Sequence, residues 1–340
     1  MAAQIQDGSN IWPADRPGPV FVVGRAGMDL YPIPVGSKIK KAHQFQADLG
    51  GSAGNIAVAL ARRGVPVQLL SAVSADPAGD FVRAQLHAYG VGCDYLAQAG
   101  GLARSSLALA ETRAEECEVV IYRNAAADLQ IEAAHLAGID FAAARALVIT
   151  GTALSADPSA SSCIAAAEEA AGKGCPVVLD LDYRKEAWSN SQRAAQALGA
   201  FCDLCQIITG NDQEFAVLAN ADAQAVAAGR ALAAELARKG RVILYKMGRQ
   251  GCHVLTGDAV YPIGIWPVAM AKPFGAGDAF LGNLLAALAS GSSWQAAARE
   301  GAAAAALVVS RPGCASAMPD GQQLADFMHR HHYQAATGES

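Results

Sequence analysis

Short runs in which nearly every residue is apolar recur along the chain: Val20-Phe21-Val22-Val23, Val67-Gln68-Leu69-Leu70, Ala146-Leu147-Val148-Ile149, Val177-Val178-Leu179, Ile207-Ile208 and Val242-Ile243-Leu244. Such runs, too short for helices and bounded by turn residues, predict strands buried on both faces. Alanine-rich stretches with helical spacing lie between most of them. Ile56, Ala57, Val58, Leu60 and Ala61, ending at Gly64, form one, and Leu281 to Ala289 form another. Strand and helix in alternation predict an α/β fold, a mainly parallel sheet covered by helices with ligand sites at the carboxyl ends of the strands. Two segments break the rhythm, about 30–48 and 103–124. In the second, Ser105 to Thr112 and Glu118 to Tyr122 read as antiparallel strands.

Composition narrows the function classes. With 340 residues, of which 52% are hydrophobic, the chain can bury a large core, and a net charge of −5 without a basic, aromatic-rich stripe argues against nucleic-acid partners. No apolar run is long enough to span a bilayer, so small molecules are the expected partners. Residues 1–18 are polar and proline-containing, without the basic start and apolar core of a signal peptide, and read as a loose arm. The rest reads as a single domain, 19–325, followed by a C-terminal tail, 326–340. Of the eight cysteines only Cys202-Asp203-Leu204-Cys205 has metal-like spacing. Without a second pair or nearby histidines it reads as helix core, and the set suits a reducing, cytoplasmic setting. His329, His331 and His332 read as a solvated helix end.

The chemistry concentrates in glycine clusters. Gly275-Ala276-Gly277-Asp278 opens the apolar run from Leu281; a turn without bulky side chains followed by a helix start lets backbone N–H groups converge on an anion. Asp278 beside it is either a helix cap or a base that takes a proton from an attacking hydroxyl. Gly50-Gly51-Ser52-Ala53-Gly54-Asn55 opens the earlier helix. No G-x-x-x-x-G-K-[ST] occurs, which excludes a P-loop kinase, and Gly24-Arg25-Ala26-Gly27 after the first strand is no dinucleotide fingerprint.

Gly50, Gly51, Asn55, Ala57 and Gly64 match one signature, and Gly275 to Asp278 with Phe280 the other, of the ribokinase-like (PfkB) carbohydrate kinases, which the chain resembles over roughly residues 20–320. The resemblance implies a three-layer α/β/α sandwich whose small β-sheet lid, built from the two irregular segments, folds over a sugar and often mediates a homodimer. It implies ATP-dependent phosphorylation, with Asp278 as base and Gly275, Ala276 and Gly277 as anion hole, Gly275 and Gly277 also contacting the ATP. Asp29, Gly50, Gly51 and Asn55 correspond to sugar contacts. Lys246, Gly248 and Gly251 correspond to a nucleotide-side loop, and Ala305 lies in the helix 301–309 that, with Arg311-Pro312-Gly313, closes around adenine and ribose. Asn211 and Glu214 match an N-x-x-E motif that organises Mg²⁺ and phosphate, partly through water. Taken alone, these segments also read as a hairpin turn, a packed alanine helix and a capped helix start.

Arg123 and Arg184, the latter in Asp180-Leu181-Asp182-Tyr183-Arg184, place two guanidinium groups and Asp182 near the acceptor, which suits a sugar acid because guanidinium binds carboxylate in a fork; structural salt bridges are the alternative. The wording around Gly24 to Pro32, Ile121 to Asp128 and Lys272 to Gly275 resembles the 5-dehydro-2-deoxygluconokinase members of the family, of myo-inositol catabolism. That implies phosphorylation of 5-dehydro-2-deoxy-D-gluconate at O6. A 2-dehydro-3-deoxygluconokinase, a fructokinase, a ribokinase and a non-catalytic sensor stay open. Where many members carry Asp-Thr, contributing to a monovalent-cation site, this chain has Lys272-Pro273. Either backbone carbonyls hold K⁺ there or the Lys272 ammonium takes its place.

Overall fold

The apolar runs become the strands of one large sheet. In the computed structural model, which describes residues 11–13 and 16–338, the chain begins with β1 (Val20–Val23), β2 (Gly27–Ile33), β3 (Gln44–Gly50), α1 (Ser52–Arg62), β4 (Val67–Ser74), α2 (Pro77–Ala88) and β5 (Leu96–Ala99). It continues through β6 (Leu107–Ala110), β7 (Val119–Tyr122), β8 (Ala146–Thr150), α3 (Ser159–Gly172), β9 (Val177–Asp180), α4 (Ser191–Cys202), β10 (Ile207–Asn211), α5 (Asp212–Leu218) and α6 (Val226–Arg238). The last elements are β11 (Val242–Lys246), β12 (Cys252–Thr256), β13 (Ala259–Ile263), α7 (Ala276–Ala289), α8 (Trp294–Val309) and α9 (Gly321–Arg330).

The large sheet has the order β13-β12-β11-β10-β9-β8-β1-β4-β5. It is parallel from β5 to β11, and β12 and β13 are antiparallel. Successive strand residues point to opposite faces, so Val20 and Val22 join a core with α1, α7 and α8, whereas Phe21 and Val23 join a second core with α3, α4 and α6. Val148 against Leu147 and Ile149, and Leu244 against Ile243 and Tyr245, repeat the division. Two helical layers over one sheet result, as the sequence pattern predicts.

From β1 the chain builds outward to β4 and β5, then returns to lay β8 on the other side of β1. The strand order thus reverses between β1 and β8, and a crevice opens there at the carboxyl ends. The residues just beyond those ends are Gly24, Gly151, Leu181, Asp212 and Met247, with Arg25 following Gly24.

The second sheet, β3-β2-β6-β7, contains both irregular segments. Strands β6 and β7 pair antiparallel as expected, β2 pairs parallel with β6, and β2 pairs antiparallel with β3, setting Asp29 opposite Asp48 and Gly27 opposite Gly50. Strand β6 is shorter than the apolar pattern suggests because the Ser105 N–H donates instead to Ser74 Oγ at 3.0 Å. Strand β2 begins earlier than position 30, which brings Asp29 into this sheet.

Within 1–18, Trp12 is buried and Arg16 Nη1 donates to Phe141 O at 2.9 Å; residues 1–10, 14 and 15 lie outside the described residues. In the tail, α9 runs through Arg330, and Gln334 pairs antiparallel with Ile265. Cys202 and Cys205 are buried, the latter donating to Phe201 O, while His329, His331 and His332 are exposed. No helix among the described residues is long and apolar enough to cross a membrane.

Candidate active site

Gly275 caps α7 with φ +83°, a left-handed conformation that glycine adopts without steric cost. The first N–H groups of a helix have no partner within it, so those of Ala276 and Gly277 are available to an anion. Asp278 follows on the same turn, 9% exposed, and Asn55 Nδ2 of α1 donates to its Oδ2 at 2.8 Å. Burial, then the charges of Asp182 and Asp180, push the Asp278 carboxyl up to about 7, against the Asn55 hydrogen bond and Arg184. A carboxylate with that proton affinity, beside an anion turn, suits abstraction of a hydroxyl proton near neutral pH.

The two glycine clusters therefore meet through a hydrogen bond, although 223 residues separate Asn55 from Asp278 in the chain. Gly50 and Gly51 lead into α1. A methyl group on Gly50 would fall 2.0 Å from the Asp29 carboxyl, and one on Gly51, where φ is +94°, would fall 2.4 Å from Arg25 O. Asp29 Oδ2 accepts from the Tyr31 hydroxyl at 3.1 Å, whereas its Oδ1 is buried without a partner among the described residues. Burial raises the Asp29 carboxyl above the usual range, with Arg25 opposing. Sequence reasoning missed Arg25; the available signal was its place two residues after the end of β1, at the reversal of strand order.

The two predicted arginines converge. Arg123 pairs with Asp128 and donates to Thr152 O at 3.3 Å, while Thr152 Oγ1 donates to Asp182 Oδ2 at 3.1 Å and Arg184 pairs with Asp182 Oδ1 at 2.9 Å. Thr152 thus links them, a junction the sequence did not reveal. Both also have carboxylate partners within the chain, as the salt-bridge alternative requires. The Arg184 side chain remains 53% exposed, leaving donors for a ligand.

On the other side of Asp278, Lys246 ends β11. Its Nζ lies 3.5 Å from Asp180 Oδ1 and 3.2 Å from where a methyl on Gly277 would sit, joining the sheet to the anion turn. Asn211 and Glu214 form a capping box: Asn211 Oδ1 accepts from Gln213 N and Glu214 N at 2.9 and 3.0 Å, and Glu214 Oε2 accepts from Asn211 N at 2.8 Å. The capping alternative is therefore present in full, yet Glu214 keeps a second carboxylate oxygen, and the charges of Lys246 and Asp180 both act on it.

A cleft of about 460 Å³ opens beside this turn, lined by Lys246, Gly248, Gly251, Gly277 and Ala305 together with Ile265, Trp266, Val268 and Phe280. Of the residues predicted for the nucleotide side, Gly275 does not line it. Helix α8 presents Ala302, Ala305, Ala306 and Val309 to the cleft, while Gly301, Ala304 and Leu307 are buried, as a packed alanine helix requires. The apolar wall from Ile265 to Val268 gave no sequence signal because it belongs to no regular element.

The pfkB family carbohydrate kinase model matches residues 19–321. The chain belongs to the pfkB family. It is an ATP-dependent carbohydrate kinase. The 5-dehydro-2-deoxygluconokinase of Photobacterium profundum is 35% identical over 316 residues, covering 92% of this chain and 96% of that protein. The protein of the same name from Clostridium tetani is 30% identical over 316 residues, covering 92% and 93%. Among solved structures, fructokinase from Xylella fastidiosa with bound ATP superposes with a TM-score of 0.78 at 25% identity, covering 91% of this chain and 98% of that one. The aminoimidazole riboside kinase of Salmonella enterica shares the fold, with a TM-score of 0.76 at 22% identity and 92% and 99% coverage.

Proposed function

We propose that this pfkB kinase transfers the γ-phosphoryl group of ATP to O6 of 5-dehydro-2-deoxy-D-gluconate. The observation that carries the chemistry is Asp278, buried and raised to about 7, one residue beyond the anion turn. The Asp278 carboxylate accepts the hydroxyl proton, and the N–H groups of the Gly275–Gly277 turn receive the charge on the transferring group. Asp29, held by Tyr31, and Asn55 orient the acceptor. Lys246 reaches toward the nucleotide phosphates, while Gly248, Gly251 and Ala305 let backbone and helix approach adenine and ribose.

Mg²⁺ coordinates few protein groups when it arrives on a nucleotide, keeping several waters. The free oxygen of Glu214 and the neighbouring Asp180 carboxylate fit that requirement. Glu214 and Asn211 would hold the ion through water, and the ion would neutralise charge on the phosphate oxygens.

The named relatives and the paired arginines favour a sugar acid. Residues 19–325 act as one catalytic unit, and segments 30–48 and 103–124 form the lid over the acceptor. Val119, Val120 and Tyr122 on edge strand β7 are exposed, which favours a homodimer through that sheet. The free, mostly buried thiols fit work in the cytoplasm.

ADP release with Mg-ATP should show kcat/KM at least about tenfold higher for 5-dehydro-2-deoxygluconate than for 2-dehydro-3-deoxygluconate, fructose or ribose, a difference of about 1.4 kcal/mol. A preference for any of the other three discards the acceptor assignment. Arg184→Met should raise KM for the sugar acid roughly 10- to 100-fold, as expected for losing a charge-assisted hydrogen bond, and should leave KM for ATP nearly unchanged. An unchanged acceptor KM would show that Arg184 serves only Asp182.

A further inference from the structure

Lys272 is fully buried, and no carboxylate among the described residues lies within ion-pair distance of its ammonium. Its surroundings are neutral. Nζ donates to Phe274 O at 2.8 Å and lies 4.9 Å over the Phe274 ring, and the Cys314 thiol also acts on it. Asp278 and Asp48 act on it only at longer range. Burial without an ion pair is unfavourable for an ammonium group, so this placement asks for a compensating role.

The geometry gives one. Phe274 O is the carbonyl immediately before Gly275, and a methyl group on Gly275 would come within 3.5 Å of Lys272 Nζ and 2.9 Å of Cys314 Sγ. The ammonium therefore lies directly behind the anion turn. The surrounding backbone is fixed as well: the N–H groups of Ala271 and Lys272 donate to Val309 O at 2.7 and 3.2 Å, and Cys314 N donates to Asp48 Oδ2 at 3.1 Å. The Phe274 ring stacks on Tyr31, with ring planes 7° apart, connecting the same cluster to Asp29.

We infer that Lys272 is a positioning residue, a built-in cation that fixes the Phe274-Gly275 peptide and supplies positive potential behind the anion turn, so that phosphoryl transfer needs no monovalent metal ion there. A carbonyl, a thiol and a ring face around one ammonium form a solvation shell assembled by the chain itself. The inference rests on the phosphoryl-transfer reading of the Gly275–Gly277 turn.

The test measures kcat, KM and melting temperature with tetramethylammonium as the only monovalent cation, and again with added K⁺. Wild type should give the same kcat and the same Tm in both. K272M should lose about 100-fold in kcat, the scale of one electrostatic donor at a developing anion, with KM for ATP and acceptor within about threefold. In K272A, K⁺ or methylammonium should restore part of the lost turnover and raise Tm, and K272R should retain more activity than K272M. A wild-type kcat or Tm that rises saturably with K⁺ overturns the inference, as does a K272M kcat near wild type. The assay uses whichever acceptor wild type phosphorylates, so a wrong sugar assignment leaves this result intact. If no acceptor is turned over, the phosphoryl-transfer reading has failed and the Tm response to K⁺ alone decides whether Lys272 fills the cation position.

Discussion

Asp278→Asn is expected to lower kcat roughly 100- to 10,000-fold, the usual contribution of a general base, while ATP and acceptor still bind. Asparagine keeps the size of the side chain and the neighbourhood of Asn55 but cannot accept the proton. Wild-type kcat/KM should rise with pH and level off above about 7, because only the deprotonated carboxylate is a base. Stability should move the other way. With its folded-state pKa raised from 3.8 to about 7, this group contributes stability that is fully present below about pH 4 and is lost as pH rises through 7. At 1.36 kcal/mol per unit the loss is on the order of 4 kcal/mol. The asparagine variant escapes it and should melt at or above wild type at pH 8. Turnover within a few fold of wild type would reject the base assignment, and a marked fall in Tm at pH 8 would identify Asp278 as a structural cap instead.

Lys246→Met should be the most damaging of the charge removals to the fold itself. Burial pulls the Lys246 pKa down, but Asp180, Glu214 and Asp278 outweigh it and leave the net shift upward, so the ammonium stays charged. Burial also holds the Asp180 and Glu214 carboxyls above the usual range, against the pull of Lys246. Without that cation the two carboxylates repel each other, with Arg184 as the remaining positive charge that acts on both. Removing one partner of a buried ionic group typically costs about 3–5 kcal/mol. The deficit should be greater at pH 8 than at pH 5, because carboxyls with raised pKa values take up protons as pH falls and the repulsion fades. Denaturant unfolding at both pH values measures this directly. A deficit below about 1 kcal/mol at pH 8, or one independent of pH, would show that Lys246 does not hold the cluster together. ATP affinity should fall in the same variant, since Lys246 lines the cleft.

Much of this was readable along the chain. Val20–Val23 and the later apolar runs identify a buried parallel sheet because strands covered on both faces need apolar residues at every position. Gly275 and Gly51 announced turns that side chains obstruct, and both have positive φ in the structure. The hairpin β12–β13 was not predicted: its intermediate and exposed positions, such as His253 and Val260, dilute the apolar pattern at the sheet edge.

The sequence by itself determined the layered α/β fold, the two glycine turns and the presence of a carboxylate beside one of them, because these depend on local periodicity and on what a single residue type allows. Folding alone brings Asn55 to Asp278, links Arg123 to Asp182 through Thr152, and buries the Lys272 ammonium behind Gly275 with no carboxylate partner among the described residues. Those contacts join residues distant in the chain, and the proton affinity of Asp278 and the charge state of Lys246 follow from which neighbours the fold brings into the same low-dielectric space.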